Sequence, residues 1–283
     1  MDGVLNVLKP AGMTSFDVIA CLRRVYGQKK IGHGGTLDPL AAGVLPVFLG
    51  RAARLIEYAP IRRKTYEAEF LMGFETDTED VSGRITARGG VLADRDAWER
   101  AAAAFRGPIK QVPSLYSAKQ IGGRRAYDLA REGKDVSLPA KDVEIFELCI
   151  REVRPPYLRL SVTCSSGTYV RALGRDMGRA AGCPLTMSFL VRTAMGPFAI
   201  GEAKTLEEIE ADPQGALLQD LRVLLSELPA LTLSAAEAAD FLTGKRLRTA
   251  AGDADEAAAY GPQGFLGIAA VRRGVIHPKK VFS

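Results

Sequence analysis

Residues 32–43, GHGGTLDPLAAG, contain four glycines, one of the two histidines of the chain and a single carboxylate, Asp38. Two interpretations of Asp38 fit this local sequence. An aspartate followed by Pro39 is a favoured beginning for a helix, with the carboxylate capping the first turn of LAAGVL. Alternatively, Gly34 and Gly35 let the backbone approach a ligand closely, which would place the carboxylate at the mouth of a cleft. The local sequence favours the helix cap, and the two roles are compatible.

Three other side chains could take part in chemistry, although each has a simpler explanation when considered singly. His33 lies beside glycines, where a lone histidine is more often a packing residue than a general base. Tyr66 falls on an alternating strand pattern and would by default fill the core. Arg171 follows a predicted strand and would by default be a surface charge or a structural ion pair. The spacing around Asp38 lacks the GxxxxGK[ST] pattern of a phosphate-binding loop.

The cysteine pattern and the hydropathy pattern exclude several classes of protein. Cys21, Cys149, Cys164 and Cys183 form no CxxC motif and no close group with histidine, so we expect reduced cysteines and no metal site. The longest apolar runs, such as VLPVFLG, are too short to cross a bilayer, and the N-terminus lacks a signal-peptide pattern. The sequence therefore predicts a cytoplasmic protein that needs no membrane and no metal.

Charge is distributed unevenly along the chain, whose net charge is +5. Residues 1–64 carry 10 basic and 4 acidic side chains, residues 105–134 carry 7 and 2, and residues 261–283 carry 4 and none. Residues 200–260 are acidic instead, with 5 basic and 12 acidic side chains. Three separated basic segments indicate a positive face for a polyanion such as RNA, although ordinary solvated charges would give a similar composition.

The elements that must position these residues follow from periodicity and capping signals. GVLNVLK is predicted to be a strand that stops at Lys9, and FDVIACLRRVYG a helix in which Thr14 and Asp17 form a capping box. TYEAEFLMG alternates with Tyr66 on the apolar face, and VEIFELCIREV and YLRLSVTCSSG are predicted strands. TYVRALGRDMGRAAG is predicted to be a helix that carries Arg171 on the same side as two further arginines.

The C-terminal part has a different composition, and we predict a domain boundary near residue 229. Before the boundary, an acidic segment around 205–227 is predicted to be helical. After it, a short helix and small strands are expected on either side of an acidic, alanine-rich loop that contains ADEAAAY. Strands that cluster without strict alternation with helices indicate the α+β class.

Several segments occur in an order that is highly specific when they are taken together. They are VLNVLKPAGMTS, GHGGTLDPLAAGVLPVFLG, KTYEAEFLMG with TDTEDVSG, VPSLYSAKQIGGRRAYDLAREG, CSSGTYVRALGRDMG and FLVR. From residue 3 to about residue 200 the chain resembles the bacterial tRNA pseudouridine-55 synthases, the TruB family. The end, GFLGIAAVRRGVIHPKK, resembles less closely a PUA domain, a small RNA-binding β-barrel.

The resemblance implies a fold and a division into domains. Residues 1–228 would form a catalytic domain with a central, largely antiparallel mixed sheet flanked by helices. A thumb-like insertion at about 108–135 would fold over the T arm of tRNA. Residues 229–283 would form the PUA-like domain. The expected partner is the T stem-loop of tRNA, bound by a monomer.

The resemblance also implies an activity without a cofactor, the isomerisation of uridine 55 to pseudouridine. Asp38 would be the nucleophile on a flipped-out uridine, and Arg171 would pair with it, since an adjacent guanidinium favours the ionised carboxylate. Tyr66 would stack on the uracil and serve proton transfer. The other residues implied to contact the substrate are Tyr169, Leu190, His33 and Lys9. His33 would occupy the space left by the base, and Lys9 would either contact the RNA or brace the catalytic loop. Whether Asp38 attacks C6 or C1′, or first removes a proton at C2′, stays open.

Three rival hypotheses remain at this point. A guide-RNA-dependent subunit of box H/ACA particles shares the Asp38 loop, but we would expect a longer and more basic C-terminal region. A non-catalytic RNA-binding or tRNA-folding protein could retain the same scaffold. A glycoside hydrolase would need a second carboxylate, and none lies near Asp38 in the sequence.

Overall fold

A computed structural model of the chain describes residues 1–114, 120–121, 124–125, 138–218 and 221–282. The strands are β1 (Gly3–Lys9), β2 (Ile31–His33), β3 (Ala42–Leu49), β4 (Arg63–Met72), β5 (Phe74–Thr76), β6 (Ile85–Arg88), β7 (Gly107–Gln111), β8 (Gln120–Ile121), β9 (Arg124–Arg125), β10 (Lys141–Arg154), β11 (Tyr157–Ser165), β12 (Leu185–Met195), β13 (Phe198–Ala199), β14 (Ala230–Thr232), β15 (Leu247–Arg248), β16 (Ala254–Gly261), β17 (Gly264–Arg272) and β18 (Val275–Val281). The helices are α1 (Ser15–Val25), α2 (Arg95–Ala103), α3 (Val170–Ala181), α4 (Leu206–Ala211) and α5 (Ala235–Leu242).

Within the described ranges, nine of these strands form the central sheet. Their order is β1-β3-β12-β4-β11-β10-β7, with β2 added beside β3 and β13 beside β12. Every pairing is antiparallel except that between β3 and β12, which is parallel over two residue pairs. The expected α+β class with a largely antiparallel mixed sheet is confirmed. The parallel pairing matters for function, because it joins Ala42 and Gly43, which follow the Asp38 loop, to β12.

The alternating patterns of the sequence place the core as predicted. On β4, Tyr66, Ala68, Phe70 and Met72 are all buried, and the apolar face of β11 is buried in the same way. α2 and α3 cover this face, with Leu173 and Met177 of α3 in the same cluster as the strand side chains. A Cβ atom at Gly174 would collide with the ring of Phe70, so the glycine lets α3 lie directly on β4.

The predicted capping box of α1 is confirmed, since the Thr14 hydroxyl accepts from the Asp17 N–H and the Asp17 side chain accepts from the Thr14 N–H. The helix predicted after Asp38 is wrong. The Ala41 N–H donates to the Asp38 carbonyl at 3.0 Å and closes a turn, and β3 begins at the next residue. Gly43 follows with φ +112°, where its backbone lies against that of Arg192 on β12. Sheet pairing with a distant strand therefore overrides the local capping preference.

The C-terminal unit is a five-stranded sheet in the order β14-β16-β17-β18-β15, curled into a half-barrel with α5 packed on it. The loop predicted around ADEAAAY is wrong, because this segment is the strand β16. Its residues Ala257, Ala258 and Ala259 are buried, and strands buried on both faces lose the alternation that identifies a strand in the sequence. The helix predicted over 205–227 is also shorter than expected, since the described residues of this range form only α4 and a 3₁₀ turn at Leu221–Leu225.

The predicted insertion of residues 108–135 begins with β7, which pairs with β10 at the edge of the central sheet. Most of the rest of that insertion lies outside the described residues. Among the residues that the structure describes, no helix is long and apolar enough to cross a membrane.

Candidate active site

Asp38 lies on the loop that joins β2 to β3, two strands that pair directly with each other. The loop is held at its centre by α1. The Ser15 hydroxyl donates to the Leu37 carbonyl at 3.2 Å, and the Leu37 N–H donates back to the same hydroxyl at 2.9 Å. Ser15 and Leu37 are both buried, so these two bonds fix the backbone immediately before the candidate nucleophile.

A second support comes from the fully buried guanidinium of Arg192 on β12. It donates to the carbonyls of Gly35 at 3.0 Å, Thr36 at 3.4 Å and Val44 at 2.7 Å. These carbonyls lie on both sides of Asp38, so one side chain ties together the two ends of the loop. Because buried carbonyls are costly to leave without a donor, this arrangement makes the loop rigid.

We therefore expect Arg192→Lys to destabilise the protein and to lower the rate. A lysine ammonium lacks the fork that reaches three carbonyls, and each buried acceptor left without a donor costs about 1–3 kcal/mol. Thermal unfolding should show a lower midpoint, and kcat should fall while the protein remains folded. A variant with the wild-type midpoint and kcat would contradict a supporting role for Arg192.

The Asp38 carboxylate forms an ion pair with Arg171 at the beginning of α3. The distance from Arg171 Nη2 to Asp38 Oδ2 is 2.8 Å. The arginine side chain is only 6% exposed, whereas that of Asp38 is 39% exposed, so the carboxylate is both charge-paired and accessible. Among the described residues Asp38 Oδ1 has no hydrogen-bond partner and remains available to a ligand.

Arg171 is itself held by the segment that follows β5. Its Nη1 donates to the Thr78 carbonyl at 2.9 Å and lies 3.7 Å from Asp80 Oδ2. Further along α3, Arg175 pairs with Glu79 and Arg179 with Glu75. Each of the three arginines predicted on one side of the helix therefore pairs with at least one carboxylate. The contacts with the Thr78 carbonyl and Asp80 hold the Arg171 guanidinium beside Asp38.

Five of the residues predicted to act on substrate line one cleft of about 230 Å³, namely Asp38, Tyr66, Tyr169, Arg171 and Leu190. Typical small-molecule pockets measure roughly 300–1,000 Å³, so this cleft suits a single ring rather than an extended ligand. Tyr66 on β4 and Leu190 on β12 are brought together by the pairing of these strands, in which Leu190 lies opposite Ala68. An aromatic ring and an aliphatic side chain thus lie beside an accessible carboxylate.

The two tyrosines of the cleft are constrained in different ways. Burial raises the pKa of the Tyr66 hydroxyl, although the nearby Arg192 guanidinium opposes the shift, so Tyr66 stays protonated at neutral pH. Tyr169 is fixed through its backbone by the buried Gln111. The Gln111 amide donates to the Tyr169 carbonyl at 3.1 Å, and its oxygen accepts from the Tyr169 N–H at 2.8 Å. Because it stays protonated, the Tyr66 hydroxyl can act as a proton donor, while the Tyr169 backbone is held in place.

His33 and Lys9 do not line the cleft. His33 ends β2, and its buried Nδ1 has no hydrogen-bond partner in the part of the chain that the structure describes; burial lowers the pKa of the imidazole, which keeps it neutral. Lys9 is fully buried, and its Nζ donates to the carbonyls of Pro10 and Met13 at 2.8 and 2.5 Å. In this conformation Lys9 braces the chain beside the loop and offers no exposed surface to an RNA.

Sequence reasoning missed Arg192, Gln111, Asp80 and Lys64, the last of which also lines the cleft. Arg192 could have been noticed as a charged residue within an apolar strand pattern. No local signal identifies Gln111 or Asp80, because both act on residues far away in the chain.

Comparison with known proteins identifies the family of the chain. Residues 23–170 match the model of the TruB family pseudouridylate synthase N-terminal domain, and residues 229–282 match that of the pseudouridine synthase II TruB C-terminal domain. The chain belongs to the TruB family. The family assignment made from the motifs is thereby confirmed.

Relatives of this TruB family chain extend over its whole length. It is 42% identical to tRNA pseudouridine synthase B of Caldanaerobacter subterraneus subsp. tengcongensis, over 100% of this chain and 99% of that protein. For the protein of the same name from Streptococcus gordonii the identity is 37%, with 100% of both chains covered. Among solved structures, Cbf5 in a Cbf5-Nop10-Gar1 complex is similar in fold, with a TM-score of 0.73, 23% identity, and 99% of this chain and 85% of that chain covered.

Proposed function

We propose that this chain isomerises a uridine of tRNA to pseudouridine, and that the target is uridine 55 in the T loop. The observation that carries the proposal is the accessible Asp38 carboxylate, ion-paired to a buried arginine, at a cleft of the size of one ring. The full-length relatives named tRNA pseudouridine synthase B support the same substrate.

The reaction breaks the N1–C1′ bond and forms a C5–C1′ bond, while a proton leaves C5 and N1 gains one. No electrons are gained or lost overall, so the side chains must hold the detached part and move protons. Asp38 Oδ1 is the group available to bond to the nucleotide, while Oδ2 stays paired with Arg171. Attack at C6, attack at C1′ and initial deprotonation at C2′ are all compatible with this position.

The target base must leave the loop before its atoms can reach the cleft. Extruding a base costs about a few kcal/mol, which stacking on an aromatic side chain offsets by roughly 1–3 kcal/mol. Tyr66 would supply that face, and Leu190 and Tyr169 line the same cleft. His33 ends β2, just before the loop that carries Asp38, and would occupy the space that the base leaves. Recognition of this kind reads the shape of the folded T loop more than a long sequence.

We expect Tyr66→Phe to bind tRNA almost as well as the wild type but to turn over much more slowly. The phenyl ring preserves stacking, whereas the loss of the protonated hydroxyl removes a proton-transfer group, which typically contributes about 10²–10⁴-fold. Single-turnover rates and equilibrium tRNA binding separate the two effects. Turnover at the wild-type rate would confine Tyr66 to stacking.

Release of tritium from C5-labelled uridine in a tRNA transcript tests the proposed function. The wild-type chain should release the label without any guide RNA, and a transcript with uridine 55 replaced should release none. Equal release from both transcripts would overturn the assigned position. No release from either would favour a non-catalytic RNA-binding protein.

The guide-dependent alternative receives less support than the proposal. Cbf5 is 23% identical to this chain, and a similarity at that level supports only a common fold. The relatives named tRNA pseudouridine synthase B are 37–50% identical to it. A glycosidase is also less well supported. Asp80 lies near Arg171 and would be the second carboxylate, but its side chain is only 9% exposed and does not line the cleft.

We further propose that the chain acts as a monomer in the cytoplasm, on the T stem-loop of tRNA and without a cofactor. One chain supplies every side chain of the cleft, which supports a monomer. The cytoplasm is where the proposed substrate occurs. Light scattering with and without tRNA would test the stoichiometry.

A further inference from the structure

Lys64 is a cation in the cleft that the proposed chemistry does not use. It precedes Tyr66 by two positions on β4, so both side chains project from the same face of the strand into the cleft. Its side chain is partly buried. No hydrogen bond or ion pair joins its ammonium group to any residue in the described part of the chain.

Among the described residues, no carboxylate pairs with Lys64. The Arg192 guanidinium and the Lys141 ammonium are both positive, and together with burial they lower the pKa of Lys64 to about 8. Burial raises the pKa of the Cys164 thiol to about 11, so the thiol is neutral at physiological pH. The Asp38 carboxylate lines the same cleft but is paired with Arg171. An ammonium group in such a place is unfavourable unless a ligand brings the missing negative charge.

The shape of the cleft indicates where that charge comes from. Two residues along a strand span about 6–7 Å, so a ring stacked on Tyr66 lies about that far from the base of Lys64. Gly167 and Thr168 follow β11, which pairs with β4 beside Lys64, and both line the cleft; the Lys141 ammonium lies against Gly167. A nucleotide whose base enters the cleft past these residues would carry its backbone close to both ammonium groups.

We propose that Lys64 binds a backbone phosphate adjacent to the flipped uridine and so fixes the nucleotide over Asp38. This inference rests on the proposed function. A uracil carbonyl could accept a hydrogen bond from the same ammonium group, but it would leave the charge uncompensated. Lys64 is therefore a substrate-positioning residue, and its target is the negative charge of the phosphate.

A double-mutant cycle between protein and RNA tests this contact. The full-length protein would be compared with Lys64→Met, which keeps the length of the side chain, and Lys64→Arg, which keeps the charge. The substrates are T-arm stem-loops with one neutral methylphosphonate on either side of the target uridine. Two control RNAs accompany each substrate. The first has an ordinary phosphate and any sugar modification that the methylphosphonate synthesis introduces, and the second carries its methylphosphonate in the stem.

We expect Lys64→Met to lower kcat/KM by about 10- to 100-fold on the ordinary RNA, the usual effect of losing a hydrogen bond to a charged group. One flanking methylphosphonate should impair the wild type to a similar extent and have little further effect on Lys64→Met. Additive effects at both flanking positions would overturn the proposal. If the wild type fails to convert the unmodified RNA, the proposed function fails instead, so the two failures are distinguishable.

The pH dependence and the stability give two readouts that a merely structural lysine would not produce. The kcat/KM of the wild type should fall above pH 8 as Lys64 loses its proton, while Lys64→Arg should keep its rate. An identical fall in both would assign the titration to another group, such as Lys9, whose pKa is also about 8, and would contradict the proposal.

Thermal unfolding provides the second readout. The pKa of Lys64 is lowered from 10.5 in the folded protein, so its charge disfavours the folded state below about pH 8, and this effect disappears above 10.5. Lys64→Met should therefore unfold at a higher temperature at pH 7 even though it is less active. A lower midpoint would indicate a structural role and would overturn the proposal.

Discussion

Replacement of Asp38 by asparagine is expected to abolish pseudouridine formation, with a loss of at least about 10⁴-fold in the single-turnover rate. The amide has the same shape as the carboxylate, but it is neither a nucleophile nor a base. Arg171 keeps the Thr78 carbonyl and Asp80 as partners in the variant. The cleft should therefore survive, and tRNA affinity and the midpoint of thermal unfolding should change little.

The comparison of rate and affinity makes this variant decisive. An Asp38→Asn protein that retains substantial turnover would remove Asp38 from the nucleophile role. A protein that loses tRNA binding together with turnover would indicate that the carboxylate organises the binding surface instead. Asp38→Glu provides a further control, because it keeps the charge but displaces it by one methylene group from the position that Arg171 sets.

The second large effect is expected for Arg171→Lys. The guanidinium reaches Asp38, Asp80 and the Thr78 carbonyl at once, and a single ammonium cannot keep all three contacts. The pair with Asp80 is buried, whereas the Asp38 side chain is 39% exposed, so the lost contacts should cost less than the about 3–5 kcal/mol that is typical of breaking a fully buried pair. We expect a loss of roughly 10²-fold or more in kcat, together with a lower midpoint of thermal unfolding.

Arg179→Lys is the matched control for this variant. It lies two turns further along α3 and pairs with Glu75, but its side chain is 60% exposed. Exposed ion pairs contribute only about 0–1 kcal/mol, so this variant should resemble the wild type in rate and stability. Equal kinetics of Arg171→Lys and the wild type would show that pairing with Asp38 does not require the planar fork.

Local patterns in the sequence were sufficient to predict the strands that alternate between apolar and polar residues and the helix that begins with a capping box. The buried face of β4 around Tyr66 and the capping box at Thr14 are examples, because each depends on residues within a few positions of one another. Asp38 shows the limit of such reasoning. Its local sequence favours a helix cap. Because Gly43 pairs with Arg192, about 150 residues away, the segment after Asp38 instead forms a turn followed by β3.

The candidate site likewise contains residues that the sequence predicts and residues that it does not predict. Asp38, Tyr66 and Arg171 could be predicted because the motifs that contain them are specific in combination. The residues that hold them in place could not, since Gln111 and Arg192 act on backbone groups of distant segments. Lys64 was missed for another reason. A lysine on a strand is ordinary in sequence, and only the structure shows that it faces the cleft with no carboxylate paired to it in the described ranges.

A crystal structure of the Asp38→Asn variant with a T-arm stem-loop would test the central claim most directly. The account predicts that one uridine has left the loop and that its ring lies on Tyr66. The side chain at position 38 should then lie about 3–3.5 Å from the reacting atoms of the nucleotide, the separation of reactants held for attack. A bound RNA whose target base remains stacked in its loop, with the cleft at position 38 empty, would contradict the account.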